Sequence, residues 1–207
     1  MDNLTNSIDQ VVQENALPHE WPKEVLSELK NIEVKNNNRS DLRKIPFVTI
    51  DGKDAKDFDD AVFCEANNDG FVLQVAIADV AEIVEANSSI DKEALLRGTS
   101  IYFPKKVIPM LPEEISNNLC SLIPNKDRNV LVCKINFSKE GEINSYEFSE
   151  AVINSHKRFT YNEVEFIKQN KDINLSEQIL HSINALEKLT KQLLLNRSKR
   201  YALEIES

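Results

Sequence analysis

Five aspartates crowd into ten residues directly after a short apolar stretch, and any fold of this chain must accommodate their mutual repulsion. Residues 47–62 read FVTIDGKDAKDFDDAV, with carboxylates at positions 51, 54, 57, 59 and 60 and only two lysines among them. Two carboxylates about 4 Å apart repel each other by roughly 1 kcal/mol in water and by about 4 kcal/mol near a protein surface. The loop must therefore either spread into solvent or be held together by cations.

Strand, turn and helix signals on both sides of this loop predict an α+β fold. Two hairpins are expected, with turns at NNDG (67–70) and KEG (139–141). The predicted strands span residues 47–50, 61–65, 71–78, 130–137 and 143–153. The predicted helices span residues 22–32, 88–97 and 176–200, and the last of them has apolar residues at helical spacing. We therefore expect a mixed, largely antiparallel β-sheet flanked by helices.

The chain is expected to divide near residue 45. Residues 1–44 begin with a polar stretch and contain one short helix, so they are predicted to form an N-terminal arm with Trp21 as its anchor. Residues 45–207 are predicted to form the main domain. Within it, the three prolines of residues 102–115 predict an extended, rigid loop. Residues 201–205 resemble the start of one more strand.

The composition argues against several classes of protein. The net charge of −9 disfavours a simple nucleic-acid binder, although residues 97–134 carry six lysines or arginines against three acidic residues. No apolar run approaches the roughly 18–20 residues of a membrane helix, so no membrane association is expected. Three scattered histidines make a zinc site unexpected. Three widely spaced cysteines predict buried thiols and a reducing cytoplasm rather than a disulfide framework.

The aspartate loop has more than one interpretation from the residues alone. An ordinary solvated turn is the simplest. A calcium loop of the EF-hand type does not fit, because Ala61 and Val62 stand where an oxygen ligand and a glycine are required. The remaining interpretation is a cluster of carboxylates that binds Mg²⁺ or Mn²⁺, because these ions prefer hard oxygen ligands. Its members would be Asp51 at the strand end and, across the loop, Asp57, Asp59 and Asp60.

Long stretches of the chain resemble a known family. The segments TIDGKDAKDFDDAV, RGTSIYFPKKVIPMLPEEISNNLCSLIPNKDR and AVINSHKRFTY are similar to the ribonuclease II/ribonuclease R family of 3′-to-5′ exoribonucleases, whose catalytic part is the RNB domain. The resemblance runs from about residue 17 to the end of the chain. It implies hydrolysis of single-stranded RNA to 5′-mononucleotides by a divalent-metal mechanism, with Mg²⁺ as the cofactor and Mn²⁺ as the alternative.

The resemblance also implies roles for individual carboxylates. The catalytic aspartates would be Asp51, Asp57, Asp59 and Asp60. Three of these, Asp51, Asp59 and Asp60, would hold the metal, with Asp59 the most critical and Asp57 in support. Asp54 would be a solvated turn residue. Outside the loop, Asp79 is expected to cap nearby backbone rather than to bind metal.

RNA contacts are implied for one aromatic residue and three basic ones. Tyr102 would stack on the terminal nucleotide, a contact that contributes about 1–3 kcal/mol and tolerates any base. Candidate phosphate contacts are Lys105, Lys106 and Arg128. The residues alone leave open a core position for Tyr102 and plain surface charge for the three basic side chains. The basic triplet at positions 156–158 is equally balanced between the two roles.

The resemblance covers only part of the family's architecture. Family members carry OB-fold modules around a longer catalytic domain, so residues 45–207 would be the N-terminal portion of that domain. An arginine near the scissile phosphate would lie in the missing part. The alternatives are therefore a catalytically silent RNA-binding fragment, or one half of a split ribonuclease with a separately encoded C-terminal half. A further alternative is an unrelated protein that binds divalent cations.

Overall fold

The structure, a computed structural model, describes residues 3–34, 38–104, 106–169 and 175–200. The helices are α1 (Asn3–Glu14), α2 (Lys23–Leu29), α3 (Val80–Ile83), α4 (Ser89–Arg97), α5 (Tyr161–Gln169) and α6 (Glu177–Lys199). The strands are β1 (Ser40–Asp41), β2 (Val48–Asp51), β3 (Asp60–Ala66), β4 (Gly70–Ala78), β5 (Ile101–Phe103), β6 (Lys106–Ile108), β7 (Asp127–Ser138), β8 (Ile143–Asn154) and β9 (Lys157–Thr160). A π-helical turn covers Ile115–Leu119. No helix within these ranges is long and apolar enough to cross a membrane.

The chain forms two compact units, each built from two separate stretches of sequence. The first unit contains Met1–Lys35 and Val80–Leu119, and the second contains Asn36–Asp79 and Cys120–Ser207. This division differs from the predicted boundary near residue 45, because the chain leaves the second unit after β4 and returns to it only before β7. The division into an N-terminal arm (1–44) and a main domain (45–207) stays a prediction.

The second unit is built on one sheet, which has seven strands within the described residues. Their order is β1-β8-β7-β4-β3-β2-β9. The four inner pairings are antiparallel, whereas the edge strands β1 and β9 pair in parallel with β8 and β2. The prediction of a mixed, largely antiparallel sheet flanked by helices is therefore confirmed.

Helices α5 and α6 cover one face of this sheet. The apolar stripe of α6 supplies buried side chains to two clusters, one around Val48 and Phe159 and the other around Cys64 and Phe137. The Ser182 hydroxyl of α6 accepts a hydrogen bond of 2.9 Å from the backbone N–H of Cys64, which ties the helix to β3. Burial of a polar group at this contact is tolerable because both partners are satisfied.

Helix α1 packs on a short hairpin in the first unit, and helices α2 and α4 contact each other. The buried face of α1, with Ile8 and Val12, contacts Ile108 of the β5–β6 hairpin. The Arg97 guanidinium lies 3.6 Å from the centre of the Trp21 ring, in a cation–π contact between α4 and the segment before α2. The Glu28 carboxylate accepts a 2.7 Å hydrogen bond from the N–H of Ser89, at the start of α4.

The residues predicted as an N-terminal arm include the helix α1, which was not predicted and whose narrow apolar face packs on the β5–β6 hairpin. One sequence prediction for the first unit is wrong. The proline-rich stretch 102–115 is not extended throughout, since it contributes to the β5–β6 hairpin and to the π-helical turn. The strand predicted at 201–205 lies outside the described residues.

Candidate active site

The aspartate loop joins two neighbouring antiparallel strands of the second unit. Asp51 is the last residue of β2 and Asp60 is the first residue of β3. The two strands pair at Val48 and Val62, so the strand ends that carry these aspartates lie at the same end of the sheet. Residues 52–59 form the connection and carry Asp57 and Asp59.

The carboxylates of the loop influence one another electrostatically. Partial desolvation raises the pKa of Asp51, and the charges of Asp60 and Asp57 raise it further, while the Arg158 guanidinium opposes them. Desolvation is also the main cause of the raised pKa of Asp59, followed by the charges of Asp57, Asp60 and Asp51. Four of the five aspartates therefore share one electrostatic environment. Asp54 is exposed, and its role as a solvated turn residue stays a prediction.

The donor chemistry of this loop fits a hard divalent cation. Carboxylate oxygens are the ligands that Mg²⁺ and Mn²⁺ prefer. Within the described residues, however, no group of three or more His, Cys, Asp or Glu side chains is gathered closely enough to hold a metal ion. A cation at this site would have to draw the carboxylates together, and its charge would relieve their repulsion.

Two residues that sequence reasoning missed hold the loop in place. The Arg158 side chain donates hydrogen bonds from one terminal nitrogen, Nη2, to the carbonyl oxygens of Gly52 and Lys53. The buried Ser121 hydroxyl accepts a hydrogen bond from the N–H of Phe58. Arg158 belongs to the basic triplet flagged in the sequence, but that signal pointed equally to phosphate or solvent. Ser121 carried no signal.

The candidate RNA contacts divide between the two units. Tyr102 lies on β5 in the first unit with 70% of its surface exposed, which rules out a core position. Lys106 lies on β6 in the same unit, and its Nζ is 2.7 Å from Oδ1 of Asp9. Arg128 belongs to the second unit and donates from Nε to the carbonyl oxygen of Ser121. Lys105 lies outside the described residues.

Other polar residues near the sheet have structural partners. Asp79 is buried, and one of its carboxylate oxygens lies 2.6 Å from Nη2 of Arg39, a residue 40 positions away. Its observed partner is thus a distant side chain and not the nearby backbone that the sequence suggested. Burial raises the pKa of the Cys64 thiol to about 12 and that of Cys120 to about 11. These two cysteines are buried as predicted, whereas Cys133 is half-buried.

Comparison with known proteins places the chain in a family. The model of the RNB domain matches residues 39–207. Ribonuclease R of Vibrio parahaemolyticus is 46% identical over 205 residues, which cover 95% of this chain and 24% of that protein.

Two solved structures of Mycoplasma genitalium RNase R match this fold with a TM-score of 0.90 and 36% sequence identity. One is in complex with double-stranded RNA and the other with ribose methylated single-stranded RNA. Each match covers 96% of this chain, but only 36% and 32% of the respective solved chains. The chain thus spans about a quarter of the curated relative and about a third of the solved ones. The match to the RNB domain over residues 39–207 and the arrangement of the aspartate loop together show that the chain belongs to the RNB domain family.

Proposed function

We propose that this chain carries the cation-binding part of a 3′-to-5′ exoribonuclease, which hydrolyses single-stranded RNA to 5′-mononucleotides. The observation that carries the proposal is the position of the RNB-type aspartates. Asp51 and Asp60 end and begin neighbouring strands, and Asp57 and Asp59 lie in the loop between them. A short loop between paired strands confines four carboxylates to one end of the sheet, where a phosphodiester substrate could approach them.

A divalent cation, Mg²⁺ or alternatively Mn²⁺, would supply the positive charge that orients a water molecule and the scissile phosphate. Asp51, Asp59 and Asp60 would hold it, and Asp57 would support them. Each of these side chains must be ionised to act as a ligand, so protons compete with the cation. Asp51 and Asp59 both have raised pKa values, so protons compete with the cation most strongly at these two side chains.

Each unit would supply contacts to RNA, with Tyr102 in the first unit and Arg128 in the second. The exposed ring of Tyr102 is available to stack on a base. Lys105, Lys106 and Arg128 remain the proposed phosphate contacts. Lys106 would have to exchange its ion pair with Asp9 for the phosphate. Arg128 has a competing structural role, because its Nε already donates to the carbonyl oxygen of Ser121.

RNA as the ligand is supported by the relatives. The Mycoplasma genitalium enzyme has been solved in complex with RNA, including a ribose methylated single strand. The shared fold and the 36% identity over most of this chain support the same class of ligand here. Recognition of single strands without sequence preference is what a stacking ring and backbone charge contacts would provide.

The second candidate is a catalytically silent RNA-binding fragment, or one half of a split ribonuclease completed by a separate C-terminal half. One feature of β8 favours it. Tyr146 and Phe148 contact each other edge to face and are 65% and 74% exposed on the sheet. Exposed apolar surface of this kind is typical of a site that another polypeptide covers.

The deciding experiment follows 5′-labelled RNA with a single-stranded 3′ extension, incubated with the chain and Mg²⁺ and resolved as a ladder. Progressive shortening from the 3′ end is expected, and Asp59→Asn should abolish it. Asp54→Asn is the matched control, since it removes a charge from the same loop and should leave shortening unchanged. Shortening that survives Asp59→Asn would contradict the mechanism. Shortening only after addition of the remaining part of a ribonuclease R would establish the split-enzyme alternative.

A further inference from the structure

The first arm of the aspartate loop is tied down by an arginine from a neighbouring strand. Arg158 lies on β9, which pairs in parallel with β2. In this pairing Arg158 lies opposite Thr49. From this strand its Nη2 reaches the carbonyl oxygens of Gly52 and Lys53, at 2.8 and 2.7 Å. The contacts are to backbone, immediately after Asp51. They therefore fix the path of the chain where it leaves the sheet.

The second arm is tied down by a serine from a different part of the second unit. The Ser121 hydroxyl accepts a 3.1 Å hydrogen bond from the N–H of Phe58 and donates a 2.7 Å bond to the carbonyl oxygen of Lys56. The N–H of Leu122 adds a third bond, of 2.9 Å, to the carbonyl oxygen of Phe58. Ser121 is only 1% exposed, so water cannot easily replace these bonds. They fix the backbone on both sides of Asp57.

The two arms are also linked to each other. The Arg158 guanidinium lies 5.2 Å from the centre of the Phe58 ring, and Phe58 is buried. The Nε atom of Arg158 is buried too and has no hydrogen-bond partner among the described residues. Burying an N–H without an acceptor is unfavourable. The contacts at Nη2 and at the ring must therefore offset this cost for Arg158 to stay in place.

This arrangement matters because the loop carries repelling carboxylates. Without restraint, the repulsion would push the loop outward and increase the distance that a cation has to close. In metal sites, partners that hold the ligand-bearing groups from behind typically change metal affinity by about 10–100-fold when they are removed. The rigidity of a site also decides between cations, because the small Mg²⁺ demands near-ideal geometry whereas Ca²⁺ accepts looser ones.

We propose that Arg158 and Ser121 are positioning residues that hold both arms of the aspartate loop, and so set its affinity for cations and its preference for small cations over Ca²⁺. This inference rests on the cation site of the proposed function. In this proposal, neither side chain contacts the cation or RNA. Both act through the backbone of the loop.

The test titrates the whole chain with Mn²⁺, followed by electron paramagnetic resonance, and with Ca²⁺ in competition. Arg158→Met removes the donors and the charge, whereas Arg158→Lys keeps the charge. Ser121→Ala releases the other arm independently. Lys157→Met is the matched control, because it removes a cation from the adjacent position of the same strand, where Lys157 contacts Phe159 instead of the loop. Amide hydrogen exchange at Phe58 reports the order of the loop without any metal.

Arg158→Met and Ser121→Ala are each expected to weaken Mn²⁺ binding by about 10–100-fold. Ca²⁺ binding should weaken less, so that the preference narrows, and amide exchange at Phe58 should become faster. Arg158→Lys should recover part of the preference, and Lys157→Met should stay within about twofold of the wild type in both affinities. If Arg158→Met does not fold, Ser121→Ala alone decides.

The outcomes separate the two proposals. Folded variants that bind Mn²⁺ and Ca²⁺ as the wild type does would overturn the positioning role and leave the cation site standing. A lower melting temperature with an unchanged preference would likewise overturn it, since a merely structural role predicts that result. A wild-type chain that binds no Mn²⁺ would overturn the cation site itself, and this inference with it.

Discussion

Removing the arginine from the buried Arg39–Asp79 ion pair is expected to destabilise the second unit strongly. The two side chains are only 2% and 8% exposed, and the charged atoms lie 2.6 Å apart. The Arg39 guanidinium also lies 3.4 Å from the carbonyl oxygen of Val130 on β7. Asp79 follows Ala78, whose N–H donates to the carbonyl oxygen of Asp59. The pair therefore stabilises the part of the sheet where the aspartate loop ends and β3 begins.

The magnitude follows from the burial of the partner that remains. In Arg39→Met, the Asp79 side chain would lose its partner in a position that water barely reaches, and such changes cost about 3–5 kcal/mol. For a chain of about 200 residues, each kcal/mol lowers the melting temperature by about 2–4 °C, so a decrease of about 6–20 °C is expected. In Arg39→Met/Asp79→Leu both charges are gone, and most of the loss should be recovered because apolar packing often replaces a buried pair without cost.

The assay is urea and thermal unfolding followed by circular dichroism, with amide hydrogen exchange of β4 and β7 to show that the loss lies in the second unit. Arg43→Met is the matched control. Arg43 pairs with Asp41 and Asp127 at the surface, where it is 49% exposed, and its loss should change the melting temperature little. The reasoning is refuted if Arg39→Met costs less than about 1 kcal/mol, or if the double variant is as unstable as the single one.

Asp59→Asn should abolish Mn²⁺ binding and should raise the melting temperature of the cation-free chain. The rise is expected because desolvation and neighbouring carboxylates raise the pKa of Asp59 and so disfavour its charged form. A lower melting temperature would contradict this. A raised pKa penalises only the charged form, so the gain in stability over the wild type should be small near about pH 3 and should grow towards about pH 7. Thermal unfolding of both proteins at a series of pH values measures this gain. Mn²⁺ affinity, measured by calorimetry, should fall as the pH is lowered through the raised pKa values of Asp51 and Asp59, and a pH-independent affinity would argue against carboxylate ligands. Gly70→Ala should cost several kcal/mol and speed amide exchange in β3 and β4, because Gly70 has φ +147° and an added Cβ would lie 2.1 Å from the carbonyl oxygen of Phe137.

Elements with local signals were predicted well from the sequence. The helix expected at 88–97 occurs as α4, whose start is capped by the Ser88 side chain and whose end is followed by Gly98. The long helix expected at 176–200 occurs as α6, since its apolar stripe alone identifies its buried face. Helix α1 was missed because its mostly polar sequence hides the few apolar side chains that pack. Strand β9 was missed because its four residues pair with β2, which lies far away in the sequence.

The same distinction between local and distant signals explains what could be predicted of the site. The aspartates could be found because five carboxylates within ten residues leave few physical explanations, and the strand before them fixes where they emerge. Their supports could not be found, because the bonds from Arg158 and Ser121 span more than 60 residues of sequence. A serine hydroxyl or a guanidinium that satisfies backbone groups leaves no pattern in the chain, since any polar side chain at the right place in the fold could do so. Composition and spacing can thus identify the groups that would bind a cation, whereas the rigidity of their loop depends on contacts that exist only once the sheet has formed.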